Sequence, residues 1–293
     1  YHGWHDWYLS VNHTDKDGLK SHLLEGLSTI GVPKSLKNTV FPFSYNNINE
    51  LESLIKNKNI GIIKMEVSRS SEPDKDYLQK VRKLATDNKI ILIFDECTSG
   101  FRQSLGGLHK IYNVEPDMAM FGKALGNGYA ITAVIGRKNI MEAAQSTFIS
   151  STFWTERIGP SAALETLKQM EKIKSWEIIT NTGNKIKDRM KDLAAKCDVN
   201  ITQWGLAALT GYTFDSDNFL KYKTYITQEF LKKKYLVGNS IYVSIKHDDS
   251  TLNNYFEILE NLFLDIKDFE NHKKSIDECL EQPVCHSGFQ RLN

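Results

Sequence analysis

The stretch IILIFDE, Ile90 to Glu96, is a continuous run of β-favouring apolar residues that ends in two carboxylates. A run of this length without alternation is typical of a strand that is buried on both faces. Upstream, Ile60 to Met65 is a second such run, and it ends at Glu66. Between them, Asp74 to Asn88 places apolar residues at helical spacing. Strand, helix and strand in this order predict a mostly parallel α/β sheet with helices on both faces.

The remaining periodicities indicate how the sheet continues and where a second domain begins. A long helical pattern from Gly159 to about Ala195 breaks near Ser175. We therefore predict a large α/β domain over residues 1–174 and a smaller α+β domain over residues 175–293. Other strands are expected at residues 118–121, 131–135, 209–215 and 241–245, and other helices at 46–56, 139–145, 219–233 and 252–269.

Composition argues against several classes of function. The 37 basic residues nearly cancel the 36 acidic ones and neither sign forms a long block, which argues against nucleic-acid or anionic-membrane partners. No apolar run approaches the roughly 20 residues that a membrane span needs. The four cysteines have no CxxC spacing, so we expect reduced thiols, a cytoplasmic location and no metal site. The opening YHGWHDWYLS lacks a methionine, and we expect a segment upstream of it.

One lysine stands out in FGKALGNGYA, Phe121 to Ala130, because Lys123 lies between glycines just after an apolar run. A phosphate-binding GxxxxGK[ST] loop is excluded, since Lys123 precedes Gly126 and Gly128 and no Ser or Thr follows it. A lysine that forms an imine with a cofactor aldehyde is the chemical alternative, and Asp95 could then hold the cofactor's ring nitrogen protonated. Each residue alone also has a structural interpretation, as a turn cap or a solvated surface charge.

Three segments together resemble the class III pyridoxal-phosphate-dependent aminotransferases, most closely the glutamate-1-semialdehyde aminomutase branch. They are IFDECTSGFR (93–102), EPDMAMFGKALGNG (115–128) and AVIGRKNIM (133–141), and the lysine follows Asp95 by 28 positions. The resemblance extends from Tyr1 to the VSIKHDD stretch near Ser244. It implies the fold of the fold-type I PLP-dependent transferases, the cofactor pyridoxal 5'-phosphate, and a homodimer with shared active sites.

The resemblance also implies roles for residues around the cofactor. Asp95 would bind the pyridine nitrogen and Lys123 would form the imine. Tyr1, in the YHG motif with His2, would stack on the ring. Cys97 stands where the family usually has a valine that packs on the opposite face of the ring.

Other positions match the family pattern less closely. Glu66 matches the acidic residue of a Glu-Pro motif, although Val67 replaces the proline. Thr152 matches a threonine that reaches the cofactor phosphate from the neighbouring subunit, with a helix cap or turn as the structural alternative. Arg102 either binds a substrate carboxylate or holds its loop. Asn239 lies near a position where the aminomutase carries an acidic residue, and it is a further substrate candidate.

The expected activity is transfer of an amino group between an amino donor and an aldehyde or keto acceptor. The aminomutase, which runs both halves of the transfer on one substrate, is the first alternative. It relies on a segment of small residues shortly after YHG, whereas this chain has the bulky and charged WHDWYLSVNHTDKDG there. A catalytically silent scaffold is the alternative of another class, and a scaffold needs neither Asp95 nor Lys123. The family's phosphate-binding loop lies upstream of YHG.

Overall fold

A computed structural model of the chain describes residues 2–3, 5–15, 18–19 and 27–287. The chain divides into two compact units, one formed by Tyr1–Ile60 with Val284–Asn293 and the other by Gly61–Pro283. The predicted division at residue 174 remains a prediction. No helix in the described part of the chain is both long and apolar enough to cross a membrane.

The described part of the smaller unit contains three short α-helices, α1 (Asp6–Leu9), α2 (Val11–Thr14) and α3 (Ile48–Asn57). The start of α3 is set by Asn47, whose side-chain oxygen accepts a hydrogen bond from the Glu50 amide at 3.2 Å. The core of this smaller unit includes the buried Tyr8, Val11 and Leu19. Of these helices, only α3 was predicted from the periodicity.

The larger unit begins with a four-stranded sheet in the order β1-β2-β3-β4. The first three strands pair in parallel and the last pairs antiparallel, which confirms the predicted fold class. The helix α4 connects β1 to β2, as the helical spacing predicted, and the short helix α5 follows β4. The bounds are β1 (Ile62–Glu66), α4 (Tyr77–Asp87), β2 (Ile91–Asp95), β3 (Met118–Phe121), β4 (Ala133–Gly136) and α5 (Lys138–Met141).

The central strand β2 forms the middle of this sheet, and the side chains of Leu92 and Phe94 are completely buried. Its register places Asp95 opposite Glu66 of β1 and opposite Met120 of β3. Parallel strands end at the same edge of a sheet, so the chain leaves β1, β2 and β3 at one edge. That edge carries the candidate site.

Two long helices lead from this sheet to a second one. The predicted break lies at Lys174, whose φ of 49° separates α6 (Ile158–Ile173) from α7 (Ser175–Cys197). The second sheet is antiparallel, in the order β5-β6-β7. Its elements are β5 (Ile201–Leu206), β6 (Leu209–Phe214), α8 (Phe219–Lys232), β7 (Ser240–Tyr242), α9 (Asp249–Glu270) and α10 (Ile276–Cys279).

In this second sheet one strand was not predicted, and the predicted length of another needs correction. Strand β5 was not predicted, because its ITQWGL sequence has little apolar character and includes Gly205 at a φ of 86°. The strand predicted over residues 241–245 is wrong in length, since β7 ends at Tyr242. The chain then turns at Ser244, whose carbonyl accepts a hydrogen bond from the His247 amide at 3.0 Å.

Candidate active site

The structure brings Asp95 and Lys123 to the same edge of the first sheet. Asp95 is the last residue of β2, and Lys123 follows the end of β3 by two positions. The two strands are parallel neighbours, with Asp95 opposite Met120. A carboxylate and a primary amine that are far apart in sequence therefore leave adjacent strand ends together, where ligands bind in sheets of this kind.

Asp95 is a desolvated carboxylate with a fixed orientation. Only 8% of the residue is exposed. Its Oδ1 accepts a hydrogen bond from the Cys97 amide at 3.1 Å, and its Oδ2 lies 3.8 Å from Lys64 Nζ. A buried carboxylate of this kind is a strong acceptor for a protonated ring nitrogen.

Lys123 has an unusual backbone, because its φ of 46° lies in the left-handed region that non-glycine residues seldom adopt. Its side chain is exposed, and Nζ donates a hydrogen bond to Thr98 Oγ1 at 2.7 Å. Just before it, Gly122 passes close to the loop after β2, since a Cβ there would lie 3.0 Å from Cys97 Sγ. Strained backbone held by surrounding structure is common at functional sites.

The loop after β2 is anchored by Glu96, the second of the two carboxylates that end the IILIFDE stretch. The structure places this side chain in the interior, with 0% exposure. Its carboxylate accepts hydrogen bonds from the Ser99 hydroxyl, from the His109 amide at 2.9 Å and from His109 Nδ1 at 2.9 Å. Glu96 therefore holds the loop and is unavailable to a substrate.

Glu66 lies beside Asp95 at the end of β1, with Arg69 Nη1 at 3.7 Å from its carboxylate. Burial raises the pKa of Glu66, the cation of Arg69 opposes the rise, and the negative charge of Asp95 adds to it. The structure thus puts Glu66 close to the two central residues. Its predicted contact with the cofactor remains a prediction.

An open cleft of about 720 Å³ adjoins Lys123. Arg102 lines it and also supports its own loop, because Nε donates to the Thr98 carbonyl at 2.6 Å and the guanidinium lies 5.4 Å from the centre of the Tyr242 ring. Burial lowers the pKa of Arg102. The structure therefore shows Arg102 holding its loop, and its contact with a substrate carboxylate remains a prediction. The lining residues are Phe101, Arg102, Lys123, Ala124, Gly126, Asn127, Gly128, Tyr129, Ala162, Glu165, Thr166, Gln169, Met170, Ile173, Ser175, Ile179, Val243, Ser244, Ile245 and Lys246.

Other candidate residues lie elsewhere or outside the described residues. Thr152 is exposed and begins a 3-10 turn whose cap is Ser151, since Ser151 Oγ accepts from the Phe153 amide at 3.1 Å. Thr152 therefore lies in a turn, as the structural alternative allowed, and its contact with the cofactor phosphate remains a prediction. Asn239 is not among the residues that line the cleft, and its carbonyl accepts from the Tyr212 amide at 3.0 Å. His2 is half-buried in the smaller unit, and Tyr1 lies outside the described residues.

The glycines after Lys123 serve the loop itself. A Cβ on Gly126 would lie only 2.0 Å from the Tyr129 carbonyl oxygen, so this position needs glycine for its own turn. Gly128 has a φ of 104° and open space around its Cβ position, so its backbone conformation is what favours glycine there.

The family follows from comparison with known proteins. The model of the class-III aminotransferase family matches residues 1–238. The chain belongs to this family. The recognition made from the three motifs is thereby confirmed.

Relatives within this aminotransferase family cover two related activities. The chain is 29% identical to a 3-aminobutyryl-CoA aminotransferase of Cloacimonas acidaminovorans, over 91% of this chain and 64% of that protein. It is 27% identical to a glutamate-1-semialdehyde 2,1-aminomutase of Methanocaldococcus jannaschii, over 90% of this chain and 66% of that protein. The chain thus spans about two thirds of the length of these relatives.

Solved structures show the same fold. An omega-transaminase from Sphaerobacter thermophilus superposes with a TM-score of 0.78 at 16% identity, over 90% of this chain and 66% of that one. A chain described as a transaminase with PLP bound gives a TM-score of 0.78 at 18% identity, over 93% and 66%. These likenesses confirm the predicted fold of the PLP-dependent transferases.

The residues present fit pyridoxal phosphate. Asp95 offers a buried acceptor, Lys123 offers a primary amine beyond the next strand end, and the Gly122 backbone passes close to Cys97. Thr98 is a residue of the site that the sequence did not predict. Its hydroxyl accepts a hydrogen bond from the Lys123 amine, and its carbonyl accepts one from the Arg102 side chain. A hydroxyl three positions after a strand-end carboxylate was the available signal, although many loops contain one.

Proposed function

We propose that this chain carries the active site of a pyridoxal-phosphate-dependent aminotransferase, which moves an amino group between an amino donor and an aldehyde or keto acceptor. The observation that carries the proposal is the buried Asp95 carboxylate beside the exposed Lys123 amine on adjacent parallel strand ends. The family match supports it. When bound, the cofactor supplies an electron-accepting ring for the charge that develops as the substrate carbon loses a proton.

The chain's own residues have distinct tasks in this reaction. Asp95, oriented by the Cys97 amide, would accept a hydrogen bond from the ring nitrogen and keep it protonated. Lys123 would hold the cofactor through its amine, and once free that amine would take the proton from the substrate carbon as a base and return it. Cys97, whose Sγ lies near Gly122, would contact one face of the ring. Arg102 in the cleft is the candidate for an acidic group on the substrate.

The aminomutase is the second candidate, because several of the relatives are glutamate-1-semialdehyde 2,1-aminomutases. The bulky segment after YHG favours the intermolecular transfer instead. Supplying glutamate-1-semialdehyde with no amino donor distinguishes the two. We expect little 5-aminolevulinate to form under these conditions, and rapid formation would make the aminomutase the correct assignment.

A homodimer with shared active sites belongs to the same proposal. Five large apolar side chains lie exposed within eleven positions, which we call the 148–158 patch: Phe148, Ile149, Phe153, Trp154 and Ile158. Soluble monomers seldom expose so many apolar side chains in one segment, so a second copy of the chain is the occupant we propose. Thr152 lies inside the patch and would then reach the partner's cofactor phosphate. The free thiols of Cys97, Cys197 and Cys279 favour a reducing, cytoplasmic location.

The decisive experiment replaces the lysine. We expect the purified wild-type protein to show a visible absorbance band from covalently held pyridoxal phosphate, and Lys123→Ala to lose both the band and amino transfer. Lys89→Ala is the matched control, because Lys89 also has a positive φ of 56° but precedes the opposite end of β2. A wild-type protein that gains no colour with added cofactor would establish the silent scaffold instead.

A further inference from the structure

We propose that Thr98 is a positioning residue for Lys123, an inference that rests on the proposed function. Its hydroxyl holds the lysine amine in one place whenever that amine is not bonded to the cofactor. The direct observation is the hydrogen bond of 2.7 Å from Lys123 Nζ to Thr98 Oγ1. Both cofactor capture and proton transfer need the amine at a defined position, so one preferred rotamer of a flexible side chain is an advantage.

The hydroxyl is held at this place by a rigid loop. Thr98 is only 3% exposed, and its carbonyl accepts a hydrogen bond from Arg102 Nε at 2.6 Å. On the other side, the neighbouring Ser99 donates to the buried carboxylate of Glu96, which also accepts two bonds from His109. A hydroxyl fixed from both flanks can orient a mobile partner without losing much entropy of its own.

The lysine backbone supports the same arrangement. Its left-handed φ of 46° is a conformation that a non-glycine residue keeps only when its surroundings require it. The side chain is otherwise exposed, and most exposed lysines sample many rotamers. The bond to Thr98 therefore selects one position for an amine that would be mobile without it.

The test measures cofactor affinity, which does not depend on turnover. We expect Thr98→Val to strengthen the apparent affinity for pyridoxal phosphate roughly three- to tenfold, the value of one hydrogen bond, because the bond it removes exists only while the amine is free. Thr98→Ser, which keeps the hydroxyl, should stay within about twofold of wild type. Thr210→Val is the matched control, because Thr210 is also 3% exposed but lies in β6 of the second sheet. Thr98→Ala replaces the valine variant if that variant does not fold.

A double-mutant cycle then separates positioning from other roles. If Thr98 acts through the lysine, Thr98→Val should change the affinity less than about twofold in a Lys123→Ala background. A weaker affinity in Thr98→Val, or an equal change with and without the amine, would overturn the proposal, since Thr98 would then contact the cofactor or only support the fold. Loss of affinity in Thr98→Ser would overturn it as well. A wild-type protein that binds no pyridoxal phosphate overturns the proposed function, and this inference with it.

Discussion

Asp117, just before β3, is a buried carboxylate that connects the elements around the candidate site. Its Oδ2 accepts hydrogen bonds from the Leu92 amide and from Arg82 Nη1, both at 2.8 Å, and its Oδ1 lies 3.0 Å from Arg137 Nη1. It therefore joins β2, α4 and the residue after β4. Burial works to raise the pKa of this carboxyl, but the bonds from Leu92 and Arg82 with the charge of Arg137 lower it below its ordinary value.

We expect Asp117→Asn to lower the free energy of unfolding by about 2–4 kcal/mol at neutral pH, because it leaves two arginines with a partner that carries no charge. Since the pKa of the carboxyl is depressed, this contribution is present above pH 3.8 and is lost as the pH falls through the lower folded-state value. The difference between wild type and variant in urea unfolding should therefore shrink at acid pH.

Asp87→Asn is the control for this prediction. Asp87 pairs with Lys83 at 2.7 Å, but both side chains are exposed and such pairs contribute little. An equal loss of stability in the two variants would contradict the role given to Asp117.

The elements of the first sheet were predictable because their signals are local. Strands β1 and β2 are apolar runs bounded by carboxylates, and α4 repeats apolar residues at helical spacing. By contrast, β5 was missed and β7 was predicted too long, because an edge strand of a small antiparallel sheet depends on its pairing partners. That pairing with β6 is a property of the fold.

Contacts between elements also reverse an ordinary helix preference. Gly183 lies within α7, where alanine would normally stabilise the helix by up to about 1 kcal/mol. A Cβ at this position would lie 1.8 Å from the carbonyl oxygen of Ala207, in the turn between β5 and β6. The backbone of the turn therefore takes the space that a side chain would need.

We expect Gly183→Ala to destabilise the protein by about 2–4 kcal/mol, because the helix and the turn must move apart. Urea unfolding followed by circular dichroism measures the effect. Gly238→Ala is the control, since its Cβ would meet nothing within 4 Å, and it should change stability little. A Gly183→Ala variant as stable as wild type would mean that α7 and the turn can separate at little cost.

At the scale of the whole molecule, the 148–158 patch predicts self-association. Phe148 is 97% exposed and Trp154 also lies largely in solvent, so burying both side chains against a second copy would stabilise the dimer. We expect the double variant Phe148→Lys/Trp154→Lys to be monomeric where wild type is dimeric, as measured by light scattering during gel filtration. The affinity for pyridoxal phosphate should also fall in the double variant if each active site is shared across the interface.

Leu236→Lys provides the comparison, because Leu236 is a 90% exposed apolar residue outside the patch. It should leave the dimer unchanged. A wild-type protein that is monomeric at micromolar concentration would contradict the proposed interface, and so would a double variant that still dimerises.

Apolar runs and motif spacing were enough to predict the α/β order, the family, and Asp95 and Lys123 as candidate site residues, because these signals can be seen along the chain. Which neighbouring side chains point inward, and which of them meet the lysine, depends on how the strands pack. Glu96 and Asp95 are adjacent in sequence, yet one is enclosed by His109 and Ser99 while the other stands at the sheet edge. Thr98 meets Lys123 across 25 positions only because β2 and β3 lie side by side and end at the same edge.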